Sequence, residues 1–118
     1  MSLPWWKTDK DARFSELLRA VRTYYHPDTA QDGAPERLRR LVYRVENEGL
    51  RAEFHDIPRF LAELRAAIID PGQVPDDELF NAACFEDGSD EAFLARVWHD
   101  IYPDRPLPTA DNPHGIGN

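Results

Sequence analysis

The stretch Ser89 to Tyr102, SDEAFLARVWHDIY, constrains the fold of this chain more than any other. Phe93, Leu94, Val97, Trp98, Ile101 and Tyr102 recur at i, i+1, i+4, i+5, i+8 and i+9. That spacing winds into one apolar stripe at 3.6 residues per turn and fits no strand. Gly88 and Ser89 supply a flexible approach and an N-cap, Asp90 and Glu91 place negative charge where the helix dipole favours it, and Pro103 stops the helix. Burying the Phe, Leu, Val and Trp is worth on the order of 6–12 kcal/mol gross. A single helix cannot hide such a stripe, so the pattern predicts a central helix packed on the apolar faces of others.

Those faces lie upstream. Phe14, Leu17, Leu18, Val21, Tyr24 and Tyr25 predict a first helix from about Asp9 or Asp11, ended by Pro27, with turn residues Thr29, Gln31, Asp32 and Gly33 after it. Pro35 suits the first turn of a second helix, with Leu38, Leu41, Val42 and Val45 on one face, and Arg37, Arg39, Arg40 and Arg44 largely on the other. This helix fades near Gly49, and a short continuation from Leu50 to Phe54 leads to Asp56. Asp56 caps a third helix bearing Phe60, Leu61, Leu64 and Ile68, which Asp70-Pro71-Gly72 terminates. Asp76, Asp77 and Glu78 open a short fourth helix with Leu79, Phe80, Ala83 and Cys84 directed inward.

Ahead of the first helix, Leu3, Pro4, Trp5 and Trp6 read as an arm with at least one ring packed on the bundle. Beyond Pro103, PDRPLPTADNPHGIGN has no apolar period and reads as a mobile or surface-bound tail. With no strand-like alternation and no internal repeat, the expectation is an all-α, single-domain bundle of about five helices over 1–103, followed by a Pro/Gly-rich tail over 104–118.

At 118 residues the chain is long enough to bury a core without metals or disulfides. No run of about 18 uncharged apolar residues and no secretory pattern is present, which makes a cytoplasmic location the expectation. Cys84 is the only cysteine, and its place on a predicted apolar face makes it a small buried hydrophobe. Charge is uneven: residues 1–59 hold 11 Lys/Arg against 10 Asp/Glu, and residues 60–118 hold 3 against 12. A field of that sign repels nucleic acid and membrane and attracts a basic surface, so neither nucleic acid nor membrane is an expected partner.

His26, His55, His99 and His114 contain no metal-binding pair at helical spacing, and no metal or other cofactor is expected. Ser15, Ser89 and Cys84 lack nucleophile-elbow or papain-like surroundings, and no acid/base pair stands out, so the expectation is that the chain is not an enzyme. Asp76, Asp77, Glu78, Glu86, Asp87, Asp90 and Glu91 cluster around one predicted inter-helix turn. They are the expected contact surface, with Tyr102 or Trp5 as aromatic anchors inside an acidic rim. Helix-start charge and solubility account equally for any one of these acids.

Two resemblances bear on function. His26-Pro27-Asp28, after Arg22-Thr23-Tyr24-Tyr25 and before Arg37 to Phe54, resembles the HPD loop of J-domain co-chaperones, which lies between two antiparallel helices and stimulates a heat-shock ATPase. The same tripeptide also reads as a helix end followed by a turn. The second resemblance spans roughly residues 14–102. Tyr24-Tyr25-His26-Pro27-Asp28, Phe60 to Leu64, Cys84-Phe85-Glu86-Asp87-Gly88 and Phe93-Leu94 to Trp98 are together similar to the small helical immunity proteins of contact-dependent growth inhibition systems. This resemblance implies a cytoplasmic protein that neutralises a cognate toxin domain by tight binding. Many such toxins are nucleases with basic grooves, which an acidic helical face would suit. A helical interaction scaffold is a third reading, and oligomeric state is left open.

Overall fold

Every apolar position of the Phe93 to Tyr102 stripe lies inside the protein, and Trp98 is the bulkiest of the fully buried side chains. The computed structural model describes residues 13–28, 33–51, 56–75 and 77–111. These form five α-helices: α1 (Ser15–Tyr25), α2 (Ala34–Glu48), α3 (Ile57–Ile69), α4 (Glu78–Ala83) and α5 (Asp90–Ile101). One 3-10 turn covers Pro71–Gln73, and there is no strand among the described residues. The expected all-α bundle is therefore what forms. No helix among them is long and apolar enough to cross a membrane.

The start signals of α5 act as the sequence predicts, with the Ser89 hydroxyl accepting the Ala92 N–H at 3.2 Å. α5 packs on α2 and α3, while α1 packs on α4, α3 and α2. Hydrogen bonds tie α5 to its neighbours. The Tyr25 hydroxyl donates to Asp100 at 2.7 Å, and that of Tyr102 donates to Glu46 at 2.8 Å. The buried Trp98 indole N–H donates to the Pro106 carbonyl at 3.0 Å, which holds the tail to α5 at that residue.

Among the described residues the first helix begins at Ser15; the expected start at Asp9 or Asp11 lies outside them. Phe14 takes a left-handed backbone, φ 67° and ψ 8°, which the helix cannot run through. That conformation is costly for an aromatic residue, and full burial of the ring beneath the Arg13 guanidinium holds it in place. α1 has no side-chain cap of its own. Instead, Glu63 of α3 accepts the Leu17 N–H at 3.0 Å, and Glu16 of α1 accepts the Asp56 N–H at the start of α3 at 3.3 Å. Each helix thus supplies a carboxylate to the positive end of the other. Arg19 and Arg59 clamp these acids at 2.7 Å, and Arg59 also reaches the buried Ser15 hydroxyl. The Asp56 cap itself forms as expected, accepting from the Arg59 N–H.

α2 ends where Gly49 adopts φ 69°, a conformation that favours glycine, and turns the chain away; Leu50 and Arg51 are not helical. The expected continuation through Phe54 otherwise falls outside the described residues, as do the Trp5 and Trp6 arm, turn positions 29–32 and the last seven residues. α4 needs a larger correction. It has only six residues, with Leu79, Ala82 and Ala83 buried, whereas Phe80 and Cys84 face outward. The helix stops when Cys84 turns left-handed, φ 51°, and donates its N–H to the Phe80 carbonyl at 2.7 Å. The inward stripe is consequently shorter than the sequence pattern predicts.

Glu63→Ala removes a cap from α1 and a partner from Arg59, and should lower stability by about 2 kcal/mol in urea unfolding. Glu48→Ala, which disrupts only an exposed pair with Arg44, should stay within about 0.5 kcal/mol of the parent.

Candidate functional site

The turn between α4 and α5 is built around Arg96. Its guanidinium lies 5.4 Å from the ring centroids of both Tyr25 and Phe93. From there it grips the Asp87 carboxylate through two hydrogen bonds, 2.8 and 2.9 Å. The Asp87 hydrogen bond is the main reason the Arg96 pKa rises further above its ordinary value. A bidentate, charge-assisted pair has more orienting power than a single surface contact. It pins the middle of the turn onto the second turn of α5.

Aromatic rings continue outward from that anchor. Tyr25 meets Phe93 edge-on at 5.4 Å, Phe93 stacks on Phe85 at 4.6 Å with the planes 7° apart, and Phe85 meets Phe80 edge-on at 5.7 Å. These offset and T-shaped geometries are the ones favoured by the ring quadrupoles. The series runs from the core to Phe80, which is 50% exposed. Phe80 and Phe85 line an open hollow of about 400 Å³ together with Asp77, Glu86, Gly88, Ser89 and Asp90. Phe80 is thus an exposed aromatic ring held from behind by other rings and bordered by carboxylates.

The acids expected at this surface divide into different roles. Asp77, Glu86 and Asp90 border the hollow. Glu78 and Glu91 lie in the first turns of α4 and α5, next to it in sequence. Asp87 faces Arg96 and belongs to the framework of the turn. Asp76 falls outside the described residues. Tyr102 is 9% exposed, hydrogen-bonded to Glu46, and borders a different hollow of about 320 Å³ between α2 and the end of α5. Sequence reasoning missed Phe80 as the aromatic in the acidic rim. Helical spacing groups Phe80 with Leu79 and Ala83 on one face and carries no signal of its exposure.

His26 closes α1 with its ring largely buried. Its Nδ1 accepts the Asp28 N–H at 3.0 Å, so in the neutral ring the proton sits on Nε2, 3.3 Å from the Cys84 sulfur. The His26-Pro27-Asp28 segment thus turns its histidine toward the α4 terminus. Cys84 is exposed, contrary to its expected burial, because the left-handed backbone at the end of α4 takes it off the apolar face. Among the described residues no group of three or more His, Cys, Asp or Glu is placed to hold a metal ion. Compared with known proteins, the chain matches no family model, no curated protein and no solved structure.

Tyr25 and Tyr102 carry phenols whose pKa values are raised well above 10.0, first by burial and then by hydrogen bonds to Asp100 and Glu46. Burial likewise raises Tyr24. Above pH 10 the unfolded chain releases phenolic protons that the native protein keeps, so stability should fall as pH rises beyond that point. Urea midpoints measured from pH 8 to 11 check this, and a flat profile would contradict it. Asp87→Ala should cost about 1 kcal/mol, moderated by the partial exposure of Arg96, while Glu86→Ala and Glu91→Ala should each stay within about 0.5 kcal/mol.

Proposed function

We propose that this protein is a non-enzymatic, cytoplasmic immunity protein that binds and neutralises a cognate toxin domain through the acidic hollow around Phe80. One observation carries the reading: a half-exposed phenylalanine, rigidly backed by Phe85 and Phe93, inside a border of Asp77, Glu86 and Asp90. Binding energy at protein interfaces concentrates in a few central, well-packed anchors, with charged rims adding orientation and association rate. A pre-positioned ring costs little side-chain entropy on binding. The rim selects a basic partner surface, such as the substrate groove of a nuclease toxin. The resemblance to immunity proteins of contact-dependent growth inhibition points the same way.

The anchor in this reading is Phe80, and Tyr102 stands outside the contact. The co-chaperone alternative gains no support from His26, whose buried ring is engaged with Cys84 and the Asp28 backbone.

The test is survival of cells expressing the C-terminal domain encoded immediately upstream, with and without this chain. Rescue and co-elution of the two proteins are expected. Phe80→Ala should weaken the complex about 30-fold or more, the scale of a 2 kcal/mol anchor. Glu86→Lys should chiefly slow association, with a smaller effect at high salt. Rescue that survives both substitutions combined would remove the hollow from the contact.

A further inference from the structure

The fold brings the sole cysteine of the chain onto the histidine of the His26-Pro27-Asp28 segment, 58 residues away, and the proposed toxin contact uses neither. Cys84 ends α4 in a left-handed backbone, φ 51°, with its N–H held by the Phe80 carbonyl. That conformation takes the residue away from the buried Leu79, Ala82 and Ala83 and leaves it exposed. His26, by contrast, is only 9% exposed, and its Nε2 lies 3.3 Å from the Cys84 sulfur. The Asp28 N–H donates to Nδ1 at 3.0 Å, which fixes the ring and puts the proton of the neutral imidazole on Nε2, directed at the sulfur. The residue is therefore open to solvent while its sulfur is met from the protein side by an N–H donor. A cysteine that serves only as a small core hydrophobe has the reverse setting, buried among apolar groups.

We infer that Cys84 is a nucleophilic thiol, positioned by His26, that forms mixed disulfides with small disulfide-containing molecules. A hydrogen bond donated to sulfur favours its anionic form, and the anion is the attacking species in thiol–disulfide exchange. His26 acts as that donor and not as the base, because its Nε2 already carries a proton; the thiol proton leaves to solvent. The Cys84 sulfur then attacks one sulfur of the small molecule. A new sulfur–sulfur bond forms, the original one breaks, and the departing half leaves with the bonding pair as a thiolate and takes a proton from water. Cys84 is oxidised and the departing half is reduced, so no other oxidant is needed. The chain has no second cysteine to displace the adduct, which persists until an external thiol reduces it. This inference is independent of the toxin assignment, and its test contains no toxin.

The experiment is reaction of the full chain with excess cystamine near neutral pH, followed by intact mass. Cystamine is a cationic disulfide, which a chain of formal net charge −8 does not repel. The same chain unfolded in urea supplies the reference rate of its thiol without His26 beside it. The native protein should gain one half of the cystamine about five-fold or more faster than the unfolded chain. His26→Phe, which keeps a buried ring but removes the donor, should bring the native rate to within about two-fold of that reference. His26→Gln, whose side-chain amide retains an N–H, should recover part of the lost rate, which a role in packing alone does not predict. Circular dichroism matching the parent establishes that each variant is folded, and if one is not, the native and unfolded parent decide the matter between them. A native parent that reacts no faster than the unfolded chain overturns the inference. So does a folded His26→Phe that reacts as fast as the parent, or a folded His26→Gln no faster than His26→Phe.

Discussion

The pairing of Arg96 with Asp87 is the interaction on which the surface architecture depends. Arg96 lies across Tyr25 of α1 and Phe93 of its own helix, so one guanidinium joins α1, α5 and the turn leading out of α4. With the turn held down, Phe85 is brought onto Phe93 and Phe80 onto Phe85. A surface loop of this length would ordinarily sample many conformations. Here aromatic stacking and a bidentate ion pair fix it, and the acids beside Phe80 inherit that order.

Beneath the turn, the core solves two problems at once. The α5 stripe requires apolar partners on several sides, and α2 and α3 supply them. The polar ends of α1 and α3 lie partly buried, where unpaired N–H groups would be costly, and Glu16 and Glu63 satisfy them reciprocally. Acidic residues consequently play two distinct parts in this chain. Some sit inward as caps or ion-pair partners, and others line the surface that we assign to a basic partner.

Periodicity made most of the helices legible in the sequence. α5 follows its apolar stripe from the Ser89 cap to the Pro103 stop, and α3 starts at the predicted Asp56 cap. What periodicity could not convey was where short elements end. Phe80 and Cys84 share the spacing of an inward face, but α4 stops after Ala83 and leaves both outside. Phe14 similarly continues the α1 stripe while its backbone ends the helix. The acidic cluster was legible as a group, but its internal division was not. Asp87 and Arg96 are nine residues apart, outside the reach of helical neighbour rules, and only the folded turn brings them together.

The most direct test of the central claim, that the acidic hollow around Phe80 is the toxin-contacting surface, is hydrogen exchange of the full chain with and without the upstream-encoded toxin domain. The account predicts added protection across residues 78–92, spanning α4, the turn and the start of α5, with α2 unchanged. Protection confined to α2 or to the segment around His26, with residues 78–92 unaffected, would contradict it.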